Sequence, residues 1–128
     1  MITHVSGTVM YVADQDASRA FYVDKLGFRV VRDEEIGPGD RWLEVVPPGG
    51  QTSIVLAAAA DFGRQPGEGA ELAFACEDIH ATVRQLREAG VRITDPLEVP
   101  WGRTGTSIVA AKTTDPDGND VVITQRVS

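Results

Sequence analysis

Cysteine is almost missing from this chain: Cys76 is the only one in 128 residues. One thiol closes no internal disulfide, so the fold has to stand on its hydrophobic core, and a reducing cytoplasm is the expected compartment. Long apolar runs are missing too. No stretch approaches the roughly 20 residues a membrane helix needs, and residues 1–20 already carry His4, Asp14, Asp16 and Arg19. Neither a membrane span nor a signal peptide is expected. Positive charge is scarce, with 12 Lys and Arg against 19 Asp and Glu and a net charge of −7. Such a surface repels phosphate backbones, and no basic stripe offsets it, so nucleic acid is not an expected partner.

What is present is an internal repeat. Met10-Tyr11-Val12-Ala13-Asp14 lies 63 positions before Ala73-Phe74-Ala75-Cys76-Glu77. Each is an apolar run that ends in a carboxylate suited to capping a helix. The same offset sets Leu26-Gly27-Phe28-Arg29-Val30 against Ala89-Gly90-Val91-Arg92-Ile93. Two matching stretches at one spacing point to a duplicated unit. The length suits one domain, with modules of about 1–60 and 70–128 and a linker of about 59–69 rich in Gly and Pro.

Within the first copy, residues 5–13 read as a strand and 14–25 as a helix stopped by Gly27. Strands follow at 29–35, 41–46 and 53–58, separated by the Gly37-Pro38-Gly39 and Pro47-Pro48-Gly49-Gly50 turns. The second copy opens with a strand at 70–76. Its helix, 78–89, carries Ile79, Val83 and Leu86 on one face. Strands at 92–97, 106–113 and 120–126 complete it. Gly7, Gly102 and Gly105 sit in or beside strands and mark bulges or close backbone approach.

Val12-Ala13-Asp14, Ala20-Phe21-Tyr22, Leu26-Gly27-Phe28, Trp101-Gly102 and Asp115-Pro116-Asp117-Gly118-Asn119 resemble motifs of the vicinal oxygen chelate superfamily, which includes glyoxalase I, extradiol dioxygenases and the bleomycin- and fosfomycin-resistance proteins. The resemblance covers the whole chain. It implies an α+β fold of two tandem β-α-β-β-β modules forming a half-open curled sheet, usually as a homodimer. It does not single out a reaction.

Metalloenzymes of this type place one ligand on the first and one on the fourth strand of each module. The corresponding positions here are Gly7, Val55, Glu71 and Val122. Only Glu71 carries a donor, and one carboxylate does not repay the dehydration of a divalent ion. His4, three residues from Gly7, falls on the other side of its strand by alternation. No metal and no cofactor are therefore expected. The Asp115–Asn119 motif is not a calcium loop either, because its sixth position is Asp120 and its twelfth Arg126; it reads as a hairpin turn.

The ligand-binding candidates are Tyr11, Trp42, Glu44, Val55, Glu71, Trp101, Arg103 and Val122, and the one catalytic candidate is Glu71. Glu71 points into an apolar cup if the resemblance holds, where burial would raise its pKa. Glu44 shares a strand face with Trp42. Trp101 and Arg103 lie in the loop before the seventh strand, and Trp101 suits either packing or ligand stacking. His80 is read as a solvated helix residue, and Cys76 as a core thiol at the end of a buried strand. The expected function is binding of a small organic molecule in a metal-free cup, antibiotic sequestration being one form of it. The alternatives are a metal-independent isomerase or lyase using Glu71 or Glu44 for proton transfer, and then a metal-dependent glyoxalase or dioxygenase whose ligands are aligned differently.

Overall fold

A computed structural model describes residues 1, 5–68, 72–100 and 107–127. Along the chain run β1 (Gly7–Val12), α1 (Gln15–Arg19) with a π-helical continuation (Ala20–Lys25), β2 (Arg29–Gly37), β3 (Asp40–Val46) and β4 (Ser53–Ala58). A 3-10 turn (Ala59–Phe62) follows, then β5 (Leu72–Ala75), α2 (Ile79–Glu88), β6 (Leu97–Pro100), β7 (Ser107–Thr114) and β8 (Asp120–Val127). Two four-stranded sheets result, ordered β1-β4-β3-β2 and β5-β8-β7-β6. In each, the first strand pairs parallel with the fourth and the rest is antiparallel. One strand order used twice is what the repeat predicts. The chain divides into two compact units, residues 1–70 with 116–119 and residues 71–115 with 120–128. Among the described residues no helix is long and apolar enough to cross a membrane.

In the first unit, alternation sends Met10 and Val12, Leu43 and Val45, and Ile54 and Leu56 to one face, where all six are buried. Phe21, Tyr22 and Phe28 cover that face, each burying enough apolar surface to contribute about 1.5–3 kcal/mol. Tyr22 donates its hydroxyl to Met10 Sδ at 3.3 Å, which satisfies the one polar atom of a fully buried ring. Asp14 caps α1 by accepting from the amides of Asp16 and Ala17. The expected single α-helix at 14–25 is not regular. Leu26 N donates to Phe21 O, five residues back, and the widened turn accommodates the adjacent buried aromatics Phe21 and Tyr22. Gly27, at φ 79, ends the segment.

The turns follow their residues. Pro38-Gly39 joins β2 to β3 with Gly39 at φ 79, and Gly50 N donates to Pro47 O across Pro48-Gly49, with Gly49 at φ 74. Both carry Pro where φ is near −65° and Gly where φ is positive. The turn holding Asp117 belongs with the first unit: Asp117 Oδ1 accepts from Ala13 N at 2.9 Å, and Oδ2 from Ser18 Oγ at 3.5 Å. This turn therefore ties down the β1–α1 corner as well as reversing the chain.

In the second unit Ile79, Val83 and Leu86 of α2 are buried, along with Val121 and Ile123 of β8 and Ala111 of β7. The helix cap is Asp78, which accepts from Ala81 N at 3.1 Å, and not its neighbour Glu77. A shorter side chain reaches that amide more readily. Residues 92–97 do not form the expected strand; β6 begins at Leu97. Pro96 has no N–H to give a ladder, and the preceding stretch is held by individual bonds: Thr94 N to Lys112 O, Thr113 Oγ1 to Arg92 O, and Arg87 to Ile93 O. Cys76 is half-buried, and Ala73 and Ala75 of β5 are exposed. The expected buried strand with a core thiol is corrected accordingly, because β5 is a four-residue edge strand whose one partner among the described residues is β8.

Candidate functional site

The face of the first sheet turned away from α1 is lined by the residues that alternate with its core. The strand register sets Val9 against Val55, Val55 against Glu44, and Glu44 against Arg32. The next level carries Tyr11 beside Ala57, and Trp42 beside Glu34. Val55, Tyr11, Trp42 and Glu44 are all half-buried. A pocket of about 340 Å³ opens at this level, walled by Ile36, Trp42, Val55, Ala57, Ala58 and Phe62, with Asp40, Arg41 and Asp61 as its charged members. That size and an apolar wall with few polar groups suit a small organic molecule. The Phe62 ring stands 6.0 Å from Tyr11, and the Arg64 guanidinium lies 5.5 Å over the Tyr11 ring.

Glu44 is held in place on both oxygens. Trp42 Nε1 donates to Oε1 at 2.9 Å and Ser53 Oγ to Oε2 at 2.6 Å. The Ser53 hydroxyl, then the Trp42 indole, and more weakly Arg32, hold the carboxyl below its ordinary value against the opposing effect of burial. The indole of Trp42, with Arg32 at 5.7 Å over its ring, is thus fixed in orientation by an anion. Ser53 also explains Gly7, its partner across the β1–β4 ladder. A Cβ on Gly7 would come within 3.0 Å of Ser53 O and 3.2 Å of Ser53 Oγ. Backbone and hydroxyl of β4 thus crowd the position of a first-strand Cβ.

Arg41 is committed to structure. Its Nε and Nη2 donate to the two oxygens of Asp33 at 2.8 and 2.9 Å, and its Nη1 to Asp16 at 2.7 Å. Arg19 also bonds Asp33. The Arg41 and Arg19 hydrogen bonds hold the Asp33 carboxyl below its usual value, and Asp33 and Asp16 raise that of Arg41. Two cations and two carboxylates therefore neutralise one another beside the pocket. Asp40 and Asp61 make no ion pair among those of the described residues, which leaves the pocket rim acidic.

Tyr11, Trp42, Glu44 and Val55 thus share one sheet face, and Trp42 and Val55 line one pocket. Val122 lies in the second unit, half-buried between the buried Val121 and Ile123, and so on the face of β8 opposite α2. Glu71, Trp101, Arg103 and His4 lie outside the described residues. Sequence reasoning missed Ile36, Asp40, Arg41, Ala57, Ala58, Asp61 and Phe62 as lining residues. The one signal for them was Phe62, a lone aromatic in a linker otherwise made of small, polar and turn residues. Gly7, Val55 and Val122 bear no side-chain donor, and the described residues hold no group of three or more His, Cys, Asp or Glu able to bind a metal ion. These residues do not fit a catalytic metal at the first- and fourth-strand positions.

The family model of the Glyoxalase/Bleomycin resistance protein/Dioxygenase superfamily matches residues 2–123. An antibiotic binding protein from a Streptomyces species, TnmS3, is 34% identical, with 98% of each chain covered and a TM-score of 0.80. A superfamily member from Sphaerobacter thermophilus is 35% identical, covering 97% of this chain and 98% of its own, with a TM-score of 0.83. A probable lactoylglutathione lyase of Synechocystis is 30% identical over 127 residues, 94% of either chain. The chain belongs to the glyoxalase/bleomycin resistance protein/dioxygenase superfamily.

Proposed function

We propose that this superfamily member binds a small organic molecule on the open face of its first sheet without a metal ion, in the manner of a sequestering protein. The observation that carries the reading is the pocket walled by Trp42, Val55 and Phe62, beside a Glu44 carboxylate whose two oxygens are already bonded to Trp42 and Ser53. A carboxylate so held orients an aromatic wall, and Gly7 and Val55 beside it bring no second donor for an ion. The likeness to an antibiotic binding protein supports the same reading. Glu71, Trp101, Arg103 and Val122 are proposed as ligand-binding residues of the second unit. Cytoplasmic residence and a homodimer are part of the proposal; the edge strands β6 and β2 expose Leu97, Val99, Val31 and Ile36, apolar surface that a second copy would cover.

The likeness to a probable lactoylglutathione lyase favours a second reading, isomerase or lyase chemistry. Glu44 is poorly suited to it, because a carboxyl held below its ordinary pKa by two donors neither keeps a proton to give nor takes one readily. Glu71 remains the acid/base candidate for that chemistry. Tryptophan fluorescence separates the readings. Protein dialysed against EDTA is titrated with bleomycin and a panel of planar aromatic cations, and a saturable quench, equal before and after chelation, is expected for at least one. Quenching that vanishes on chelation and returns with a divalent ion would overturn metal-free binding. Conversion of a bound compound to product, lost in Glu71→Gln, would replace sequestration with catalysis.

A further inference from the structure

The pocket opens where the ladder of the first sheet is interrupted. β1 and β4 pair through six residues and β2 and β3 through seven, yet β3 and β4 pair through only Glu44 with Val55 and Val45 with Ile54. Past Glu44 the ladder stops. The segments beyond it, Arg41 and Trp42 on β3 and Ala57 and Ala58 on β4, are opposite walls of the pocket. Two strands that run side by side without regular pairing leave carbonyls without ladder donors, a cost of about 1–3 kcal/mol for each one buried without a partner.

Gln15 resolves this. Its Nε2 donates to Leu56 O at 2.9 Å and to Arg41 O at 3.1 Å. One amide group thus uses both hydrogens, one on each strand, at the level where the regular pairing has ended. Its place in the chain suits this bridge, since it is the half-buried first residue of α1, directly after the Asp14 cap. Its neighbour Asp16 holds the Arg41 side chain, so the β3 end is tied to the start of α1 where its ladder with β4 has ended.

We infer that Gln15 is a positioning residue that sets the aperture of the pocket by bridging the carbonyls of Arg41 and Leu56 in place of the missing β3–β4 ladder. This rests on the reading of the pocket as a binding site. It adds that the spacing of the Trp42 and Ala57 walls is maintained from α1 and does not arise from the sheet alone. A primary amide of this length is needed. Methionine matches the shape without the donors, and glutamate turns an acceptor toward two carbonyls.

The test pairs Gln15→Met with Ser18→Ala, which removes a bond of α1 to Asp117. Nile red serves as a neutral apolar probe, the Trp42 indole N–H resonance (assigned with Trp42→Phe) reports the wall directly, and urea unfolding gives the stability of each variant. Gln15→Met is expected to weaken Nile red binding by about tenfold, the equivalent of one lost polar constraint on the aperture, and to shift the indole resonance. Ser18→Ala, destabilised to a similar degree, should leave both within about twofold of wild type, since loss of stability alone does not change an aperture. Gln15→Glu should bind weakly at neutral pH and recover in part as acidification gives it a proton to donate. Equal effects of Gln15→Met and Ser18→Ala, or unchanged binding and resonance in Gln15→Met, would overturn the inference while leaving the pocket a binding site. Should wild type fail to take up the probe while Gln15→Met still shifts the indole, the bridge stands and the small-molecule reading falls.

Discussion

Replacing Glu44 separates two jobs of one side chain, and the structure sets the size of each effect. In Glu44→Gln the amide oxygen can accept from Trp42 Nε1 while the amide nitrogen donates to Ser53 Oγ, so both neighbours keep a partner. Only the charge assistance of bonds now at 2.9 and 2.6 Å is lost, about 1 kcal/mol after relief of the carboxylate's desolvation. Glu44→Leu removes both acceptors. Ser53 has a second acceptor, Ser6 O at 3.5 Å, so the main loss is the half-buried indole N–H, at the low end of the range for an unpaired donor, and the total is about 1–2 kcal/mol. That corresponds to a melting point lowered by roughly 3–8 °C for a chain of this size. The Trp42 emission should change in Glu44→Leu and stay near wild type in Glu44→Gln. Acidity supplies the sharper check. The folded carboxyl sits below its ordinary 4.5, so its contribution is fully present above that value and is lost as pH falls through the folded pKa. The stability gap between wild type and Glu44→Gln, measured by urea unfolding, should hold from neutral pH to about 5 and close below the ordinary carboxylate range. A gap that widens on acidification, or a Leu variant as stable as wild type with unaltered emission, would refute the assignment.

Two paired substitutions probe the scaffold. Gly67 and Gly90 both have strongly positive φ, 89° and 87°, but a Cβ on Gly67 would lie 2.8 Å from Asp117 O whereas one on Gly90 meets nothing within 4 Å. Gly90→Ala should cost about 1 kcal/mol for the left-handed backbone, and Gly67→Ala distinctly more; equal melting points would show that the linker moves aside freely. Asp117→Ala removes the acceptor of Ala13 N and Ser18 Oγ, an expected loss of about 1–3 kcal/mol, of which Asp117→Asn should restore part by keeping one oxygen. Unfolding curves that superpose on wild type for both would show that the turn only reverses the chain.

How far the sequence announces this arrangement depends on which physical rule governs each element. Residues 53–58 and the Ile79, Val83 and Leu86 stripe follow simple periodicities, and both are present as read. Asp14, Gly27, Gly39 and Gly49 follow backbone chemistry that needs no partner, and they too sit where their types belong. Pro96 is visible in the sequence, but the apolar pattern around it pulls the expected sixth strand forward, and the missing N–H wins. Alternation alone puts Tyr11, Trp42, Glu44 and Val55 on one sheet face. No periodicity reaches Asp61 and Phe62, whose approach to the pocket depends on a 3-10 turn and on Gly63 at φ 63. Gln15 is equally hidden, since a polar residue in the first turn of a helix reads as solvated until the interrupted ladder is seen.

In the first unit, β1 and β4 carry no side-chain donor at the positions that the family resemblance assigns to an ion's ligands. Metalloenzymes on this scaffold draw donors from the first and fourth strands, but here β1 presents Gly7 and β4 presents Val55. Ser53, facing Gly7 across the ladder, makes a Cβ there a tight fit, so a side chain such as His at position 7 would need Ser53 to give way slightly. The carboxylate at this level comes instead from β3. Glu44 gives one oxygen to Ser53 and the other to the Trp42 indole, and as a lone carboxylate it does not repay the dehydration of a divalent ion. Within the first unit, the tight fit at Gly7 and the fixed indole thus share one residue, Ser53. On the proposed reading Ser53 thereby connects a first strand that carries no donor at position 7 with a pocket whose aromatic wall is held by Glu44.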